Sequence, residues 1–258
     1  MRITYRNEKN TEYWKRRWDN IEVDEPAFEI NNYPLRYANL IVKNPNQNIL
    51  EAGCGAGRLL RFFHNKGYKI TGIEFFEDII EKLKKKGNSL NVKVENILNL
   101  NFKDDFFDCV LAFGLYHNFE SENLDRAISE TYRVVKKGAK ICASFRADNI
   151  QELIVDFIRK DKKQENKCFH KLNLKKREFV SLFEKHNFKV EDIYSVQNMP
   201  FLYKFKFFRA KDQKKFNENI ARVKGYKLSF FGNLIQNILI KYLPDQFCNV
   251  YVLIAYKN

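Results

Sequence analysis

Ile49-Leu50-Glu51-Ala52-Gly53-Cys54-Gly55-Ala56-Gly57-Arg58 reads as a short apolar strand, a turn of alternating glycines and the opening of a helix. The polar run Asn44-Pro45-Asn46-Gln47-Asn48 precedes it, and Leu59, Leu60, Phe62 and Phe63 follow on one broad helical face. Glycines in this pattern allow positive φ and let a ligand lie against bare backbone. Gly-rich strand-to-helix turns commonly hold nucleotide-type ligands. A dinucleotide fingerprint needs a third glycine where Arg58 stands, so that pattern is broken. Glu51, two residues before the first glycine, disfavours a pyrophosphate and favours a cation. The turn is expected to carry a cationic ligand whose body lies along it.

Outward from the turn, strands and helices alternate. Tyr68–Glu74, Asn91–Glu95, Phe106–Phe113 and Ala139–Phe145 read as strands; Asp78–Lys86 and Leu124–Val135 read as helices between them. Ile150–Ile158 and Lys175–Lys185 continue as helices, and Phe188–Val196 and Asn249–Tyr256 as strands. Near-continuous apolar strands separated by helices predict a Rossmann-like, doubly wound α/β fold with a mostly parallel sheet. Ligands then sit beyond the carboxyl ends of the strands. Glu74 ends the second strand, where a carboxylate accepts two ribose hydroxyls. Of Phe75 and Phe76, one suits a base face and the other inward packing.

Several motifs resemble those of the class I S-adenosylmethionine-dependent methyltransferases, in particular the methyltransferase type 11 group. Glu51-x-Gly53-x-Gly55-x-Gly57 looks like motif I, with Cys54 and Arg58 inside and after it. Asn96-Ile97-Leu98-Asn99-Leu100-Asn101-Phe102 followed by Phe107-Asp108-Cys109-Val110 is similar to the family's D-a-x-x-L-P-F…F-D-x-V segment. Glu130-Thr131-Tyr132-Arg133-Val134-Val135-Lys136-Lys137-Gly138 resembles E-x-x-R-V-L-K-P-G, with Lys137 in place of proline. The resemblance covers roughly residues 45–147. It implies a seven-stranded sheet whose last strand inserts antiparallel, and S-adenosyl-L-methionine as cofactor. It also implies cofactor contacts from Glu51, Gly53, Cys54, Gly55, Gly57, Arg58, Glu74, Phe75, Asn96, Ile97 and Phe113. Asn96 stands where the family often has an aspartate reading the adenine amino group.

The chain of 258 residues carries a net charge of +14, unevenly placed: +3 over residues 1–150 and +11 over 151–258. The second part suits an anionic partner, or is a solvated lysine-rich surface. Five scattered cysteines form no C-x-x-C pair, so neither a disulfide framework nor a zinc site is indicated. No apolar run reaches the ~18 residues of a spanning helix, and the N-terminus has no signal core. A cytoplasmic location, with peripheral membrane attachment as a variant, is the expectation.

One domain is expected: a helical N-terminal cap over 1–48, core sheet over 49–198 and 249–258, and a helical, aromatic insertion over 199–248. Trp14 and Trp18 share a helical face, which suits either a lid over the cofactor or packing on the core. His117 at the end of the fourth strand is the candidate base, with Tyr116 as a second candidate; the favoured alternatives are a histidine that only shapes the pocket and a tyrosine that packs. No metal is expected. In the insertion, Phe230, Phe231, Leu234, Ile235, Ile238, Leu239 and Tyr242 recur at helical spacing among Lys211, Lys214, Lys215, Arg222, Lys224 and Lys227. That pattern suits a membrane-proximal substrate, an RNA, or a cap packed on the sheet. No DNA partner is expected: Phe113-Gly114-Leu115-Tyr116 replaces the family's Asp/Asn-Pro-Pro-aromatic tetrad, and Cys109 lies inside a strand. The expected reaction is in-line methyl transfer to a small-molecule oxygen or nitrogen nucleophile, of sugar or lipid-linked type. An RNA-modifying enzyme and a non-catalytic cofactor-binding protein are the alternatives.

Overall fold

The computed structural model describes residues 1–21, 23, 33–87, 89–159, 168–215 and 225–258. In chain order its elements are β1 (Arg2–Arg6), α1 (Asn10–Asp19), α2 (Leu35–Ile41), β2 (Ile49–Ala52), α3 (Arg58–Asn65), β3 (Ile70–Glu74), α4 (Glu77–Lys86), β4 (Val92–Val94), β5 (Phe107–Ala112), α5 (Ser121–Val134), β6 (Val135–Arg146), α6 (Ile150–Arg159), β7 (Cys168–Asn173), α7 (Lys176–Lys185), β8 (Phe188–Val196), α8 (Phe230–Tyr242), α9 (Pro244–Phe247) and β9 (Val250–Lys257). Short 3-10 turns lie at Tyr116–Asn118 and at three places between β8 and α8.

A seven-stranded sheet runs β4-β3-β2-β5-β6-β9-β8. β4, β3, β2, β5 and β6 are parallel, and β9 inserts antiparallel between β6 and β8. Alternation along the strands divides the core. Ile49, Cys109 and Leu111 pack on one face with Leu60, Phe63, Ile80 and Leu83 of α3 and α4. Leu50, Val110 and Ala112 pack on the other with Leu124 and Ile128 of α5 and Phe179 and Phe183 of α7. Burial on both faces explains why these strands read as continuous apolar runs. The fifth strand starts earlier than Ala139: Val135 already pairs with Phe107, and the ladder resumes at Lys140 after a kink at Gly138, φ +75°.

The N-terminal region holds a strand as well as helices. β1 pairs antiparallel with β7, a small ladder apart from the main sheet. Its inward positions are the polar Arg2, Thr4 and Arg6, while Ile3 and Tyr5 face out. Polarity is reversed relative to an ordinary half-buried strand, so hydrophobic periodicity gives no signal for it. The insertion differs from a simple core-packed cap too. Of the seven apolar residues read there at helical spacing, Leu239 is partly buried and the other six are exposed; Ile240, next to Leu239, is partly buried as well. Arg222 and Lys224 lie outside the described residues.

Candidate active site

The strand order reverses at β2: β3 and β4 lie on one side, β5 and β6 on the other. The loops leaving β2 and β5 therefore part and leave a crevice at their carboxyl ends. A cavity of about 480 Å³ opens there. Of the residues expected to hold a cofactor, Gly53, Glu74, Phe75, Asn96, Ile97 and Phe113 line it. Glu51, Cys54, Gly55, Gly57 and Arg58 do not.

The glycine turn is fixed by backbone bonds. Gly53 and Cys54 both donate N–H to the Ile73 carbonyl, each at 2.9 Å. Glu74 accepts the Gly55 N–H at Oε2 (3.2 Å) and the Phe75 N–H at Oε1 (2.9 Å). Each oxygen of a carboxylate has a further lone pair for a ligand donor. Burial pushes the Glu74 carboxyl above its ordinary range, against those stabilising amide bonds. Glu51 is buried beneath the turn, and Cys54 backs onto Gly72 in the core, where burial raises its thiol well above the usual value. Phe75 is exposed at the cavity, whereas Phe76 packs beside Trp18 and Ile79. Asn96 uses Oδ1 to accept the Leu98 N–H at 3.0 Å, closing the turn after β4.

That turn is braced from α5. Arg133 donates to the carbonyls of Leu100 and Phe102, at 2.8 and 2.7 Å, and to Asp104 at 2.7 Å. Glu130 pairs with Arg133 and also accepts the Leu100 N–H at 2.8 Å. The Glu130–Arg133 motif thus holds the segment whose start, Asn96 and Ile97, walls the cavity. Asp108 bonds the Asn48 N–H and Lys136, and so locks the entry to β2 beside β5.

α1 forms the roof. Trp14 and Trp18 stack with ring centroids 5.5 Å apart, and both line the cavity. Each end of the helix is tied down. Asn10 donates from Nδ2 to the carbonyls of Asn118 (3.1 Å) and His170 (3.0 Å). Lys82 donates from Nζ to the carbonyls of Trp18, Asp19 and Ile21 at 2.6, 2.9 and 3.2 Å. Asn10 and Asn118, which both line the cavity, were invisible to motif reading: a lone asparagine has no pattern until the fold brings its partner near.

The two candidate catalytic residues lie inside the core, away from this cavity. Tyr116 is fully buried in the core, its hydroxyl paired with Thr131 Oγ1 at 2.8 Å, and burial raises its pKa. His117 packs against Phe145, 6.1 Å between ring centroids, with Nδ1 buried and without a hydrogen-bond partner. Burial, then Arg146 and Lys171, push it well below its ordinary pKa. Neither lines the cavity. The 3-10 turn after Leu115 rotates both side chains inward, a local geometry that strand-end reasoning does not supply.

Residues 50–143 match the model of the methyltransferase domain family. An uncharacterized methyltransferase of Schizosaccharomyces pombe is 27% identical over 126 residues, 48% of this chain and 48% of that one. A probable tRNA methyltransferase 9B of Mus musculus is 30% identical over 100 residues, 38% of this chain and 22% of that protein. The alignments span about half the length of the first relative and about a fifth of the second. A SAM-dependent methyltransferase from Methanosarcina mazei superposes with a TM-score of 0.56 at 19% identity, covering 87% of this chain and 97% of that one. At that identity the likeness is one of fold. No helix among the described residues is long and apolar enough to cross a membrane.

Proposed function

We propose, from the premise that residues 50–143 belong to the S-adenosylmethionine-dependent methyltransferase domain family, that the chain moves a methyl group from S-adenosyl-L-methionine to a small-molecule oxygen or nitrogen nucleophile. The observation that carries this reading is the cavity itself. Its ~480 Å³ is of small-ligand size and joins Glu74, Gly53 and Phe75 under the Trp14–Trp18 roof. The residues fit the cofactor: Glu74 keeps acceptor capacity beyond its two amide bonds, Phe75 offers an exposed ring, and Gly53 leaves bare backbone.

When bound, the cofactor supplies an electrophilic methyl on a sulfonium. On this reading Glu74 accepts the ribose hydroxyls, Phe75 and Ile97 flank the base, and Asn96 meets its edge. Glu51, Cys54, Gly55, Gly57 and Arg58 shape the turn from behind, and Phe113 faces the acceptor side. Among the described residues lining the cavity there is no histidine, cysteine or tyrosine. The reading therefore assigns the acceleration to alignment of the reactants, a contribution of up to about 7–11 kcal/mol, and gives His117 and Tyr116 no proton transfer. A lipid-linked acceptor suits the mainly apolar wall, and a sugar acceptor the asparagines Asn10, Asn118 and Asn123 that also line it.

A second reading, an RNA acceptor, has one specific support: the likeness to a probable tRNA methyltransferase, together with the net charge of +14. Labelled cofactor incubated with the protein and a fractionated extract tests both. Label in a small-molecule or lipid fraction is expected. Label in RNA overturns the acceptor class. No label anywhere, with cofactor binding intact, leaves a non-catalytic binding protein.

A further inference from the structure

α8 is built inside out. An amphipathic surface helix ordinarily turns its apolar stripe to the core. Here Phe230, Phe231, Leu234, Ile235, Ile238 and Tyr242 face outward, 41–78% exposed, while the buried positions include Gly232 and Gln236. The orientation is fixed by specific contacts. Gln236 accepts the Leu202 N–H at 2.9 Å and donates to Gln197 at 3.0 Å. Gly232 lies so close to the Phe208 carbonyl that a Cβ would come within 2.7 Å. Ser229 caps the helix by accepting the Gly232 N–H.

α6 repeats the inversion. It shares one small apolar cluster with α8, to which Val155 belongs and against which Leu239 and Ile240 pack. Ile150, Leu153 and Phe157 are exposed, Phe157 by 84%, whereas Gln151 is fully buried and donates to the Cys248 carbonyl at 2.6 Å. Both helices thus turn a hydrogen-bonding glutamine inward and leave most of their apolar side chains outside. The surrounding segment, 199–248, carries ten lysines and arginines against three acids. Lys206, Lys211, Lys215, Lys227 and Lys241 are exposed.

We propose that this face docks on an anionic phospholipid surface, with the apolar side chains in the headgroup–acyl boundary and the lysines on lipid phosphates. The charge selects this occupant. A second copy would bring a like-charged lysine rim against the first. An RNA would engage lysines and rings but give Leu234, Ile235 and Ile238 nothing to bury into. The proposal stands independently of methyl transfer, since it concerns binding alone.

The test is flotation of the full chain with vesicles. Binding is expected to vesicles of equal phosphatidylcholine and phosphatidylglycerol, and to be at least about tenfold weaker with phosphatidylcholine alone, weakening with salt. A Phe231→Glu/Ile235→Glu variant is expected to lose about tenfold or more of that binding at an unchanged Tm, because both residues are exposed. Comparing the two vesicle types with the unaltered chain needs no variant. Failure to bind the mixed vesicles, or equal binding by the variant, overturns the proposal. So does a wild-type dimer that the variant splits without any vesicle binding, or an RNA oligonucleotide bound where vesicles are not.

Discussion

The indole of Trp18 lies against Gly55: a Cβ built on this glycine would come 2.8 Å from the ring's Cη2. The roof helix meets the glycine turn at that contact, and the glycine's φ of +51° adds a backbone constraint to the steric one. Gly55→Ala is expected to cost about 1–3 kcal/mol of stability and to weaken S-adenosylmethionine binding, read by thermal unfolding with and without cofactor. Adding Trp18→Ala should relieve the clash but not the strained φ, so the double variant recovers only part of the binding.

Glu74 presents the carboxylate on which the cofactor reading depends. S-adenosylmethionine should raise the Tm of the wild-type chain, and Glu74→Ala should abolish most of that rise, through at least about a tenfold loss of affinity. Glu74→Gln, keeping one acceptor oxygen, should fall between them. No shift at millimolar cofactor in the wild type would remove the cofactor assignment.

Lys82 holds the carboxyl end of α1 through three carbonyls. Lys82→Met removes those bonds at similar side-chain length. A loss of about 1–3 kcal/mol is expected, with faster amide exchange confined to α1 and its contacts. Exchange that rises evenly across the sheet would contradict this local anchoring.

Two histidines contribute to the acid limb of stability, alongside carboxylates such as Asp108, Asp125 and Glu130 that their ion pairs hold below the ordinary range. His170 is pushed down to about 3, by burial first and then by Lys171 and Arg6, and His117 well below its usual value. Both are neutral in the folded chain and protonate on unfolding below pH ~6.5, so the unfolded state binds more protons there. Stability is therefore full above pH ~6.5 and declines as pH falls from there toward about 3. His117→Gln should flatten the decline of Tm between pH 7 and 5; an unchanged slope would exclude His117 as a contributor.

Sequence made the sheet legible because strands buried on both faces carry near-continuous apolar runs, as in Cys109, Val110, Leu111 and Ala112 of β5. The place of Glu74 and Gly53 at the cavity was legible because Glu74 ends β3 and Gly53 follows directly on β2. The inward direction of His117 and Tyr116 is not legible, because a single 3-10 turn decides which way a strand-end side chain points. β1 was hidden by its reversed polarity, and Asn10 because its partners, Asn118 and His170, lie 108 and 160 positions away. What pattern carries is periodic; what it cannot carry is a contact made once.

The small β1–β7 ladder has a kinetic consequence. With β1 laced to β7 ahead of it and Lys82 clamping it behind, α1 is a beam supported at both ends and not a flap on one hinge. Ligand traffic through the roof would require unzipping a ladder or releasing an ammonium clamp. Residence time should therefore track the fraying of five N-terminal residues that never touch the ligand.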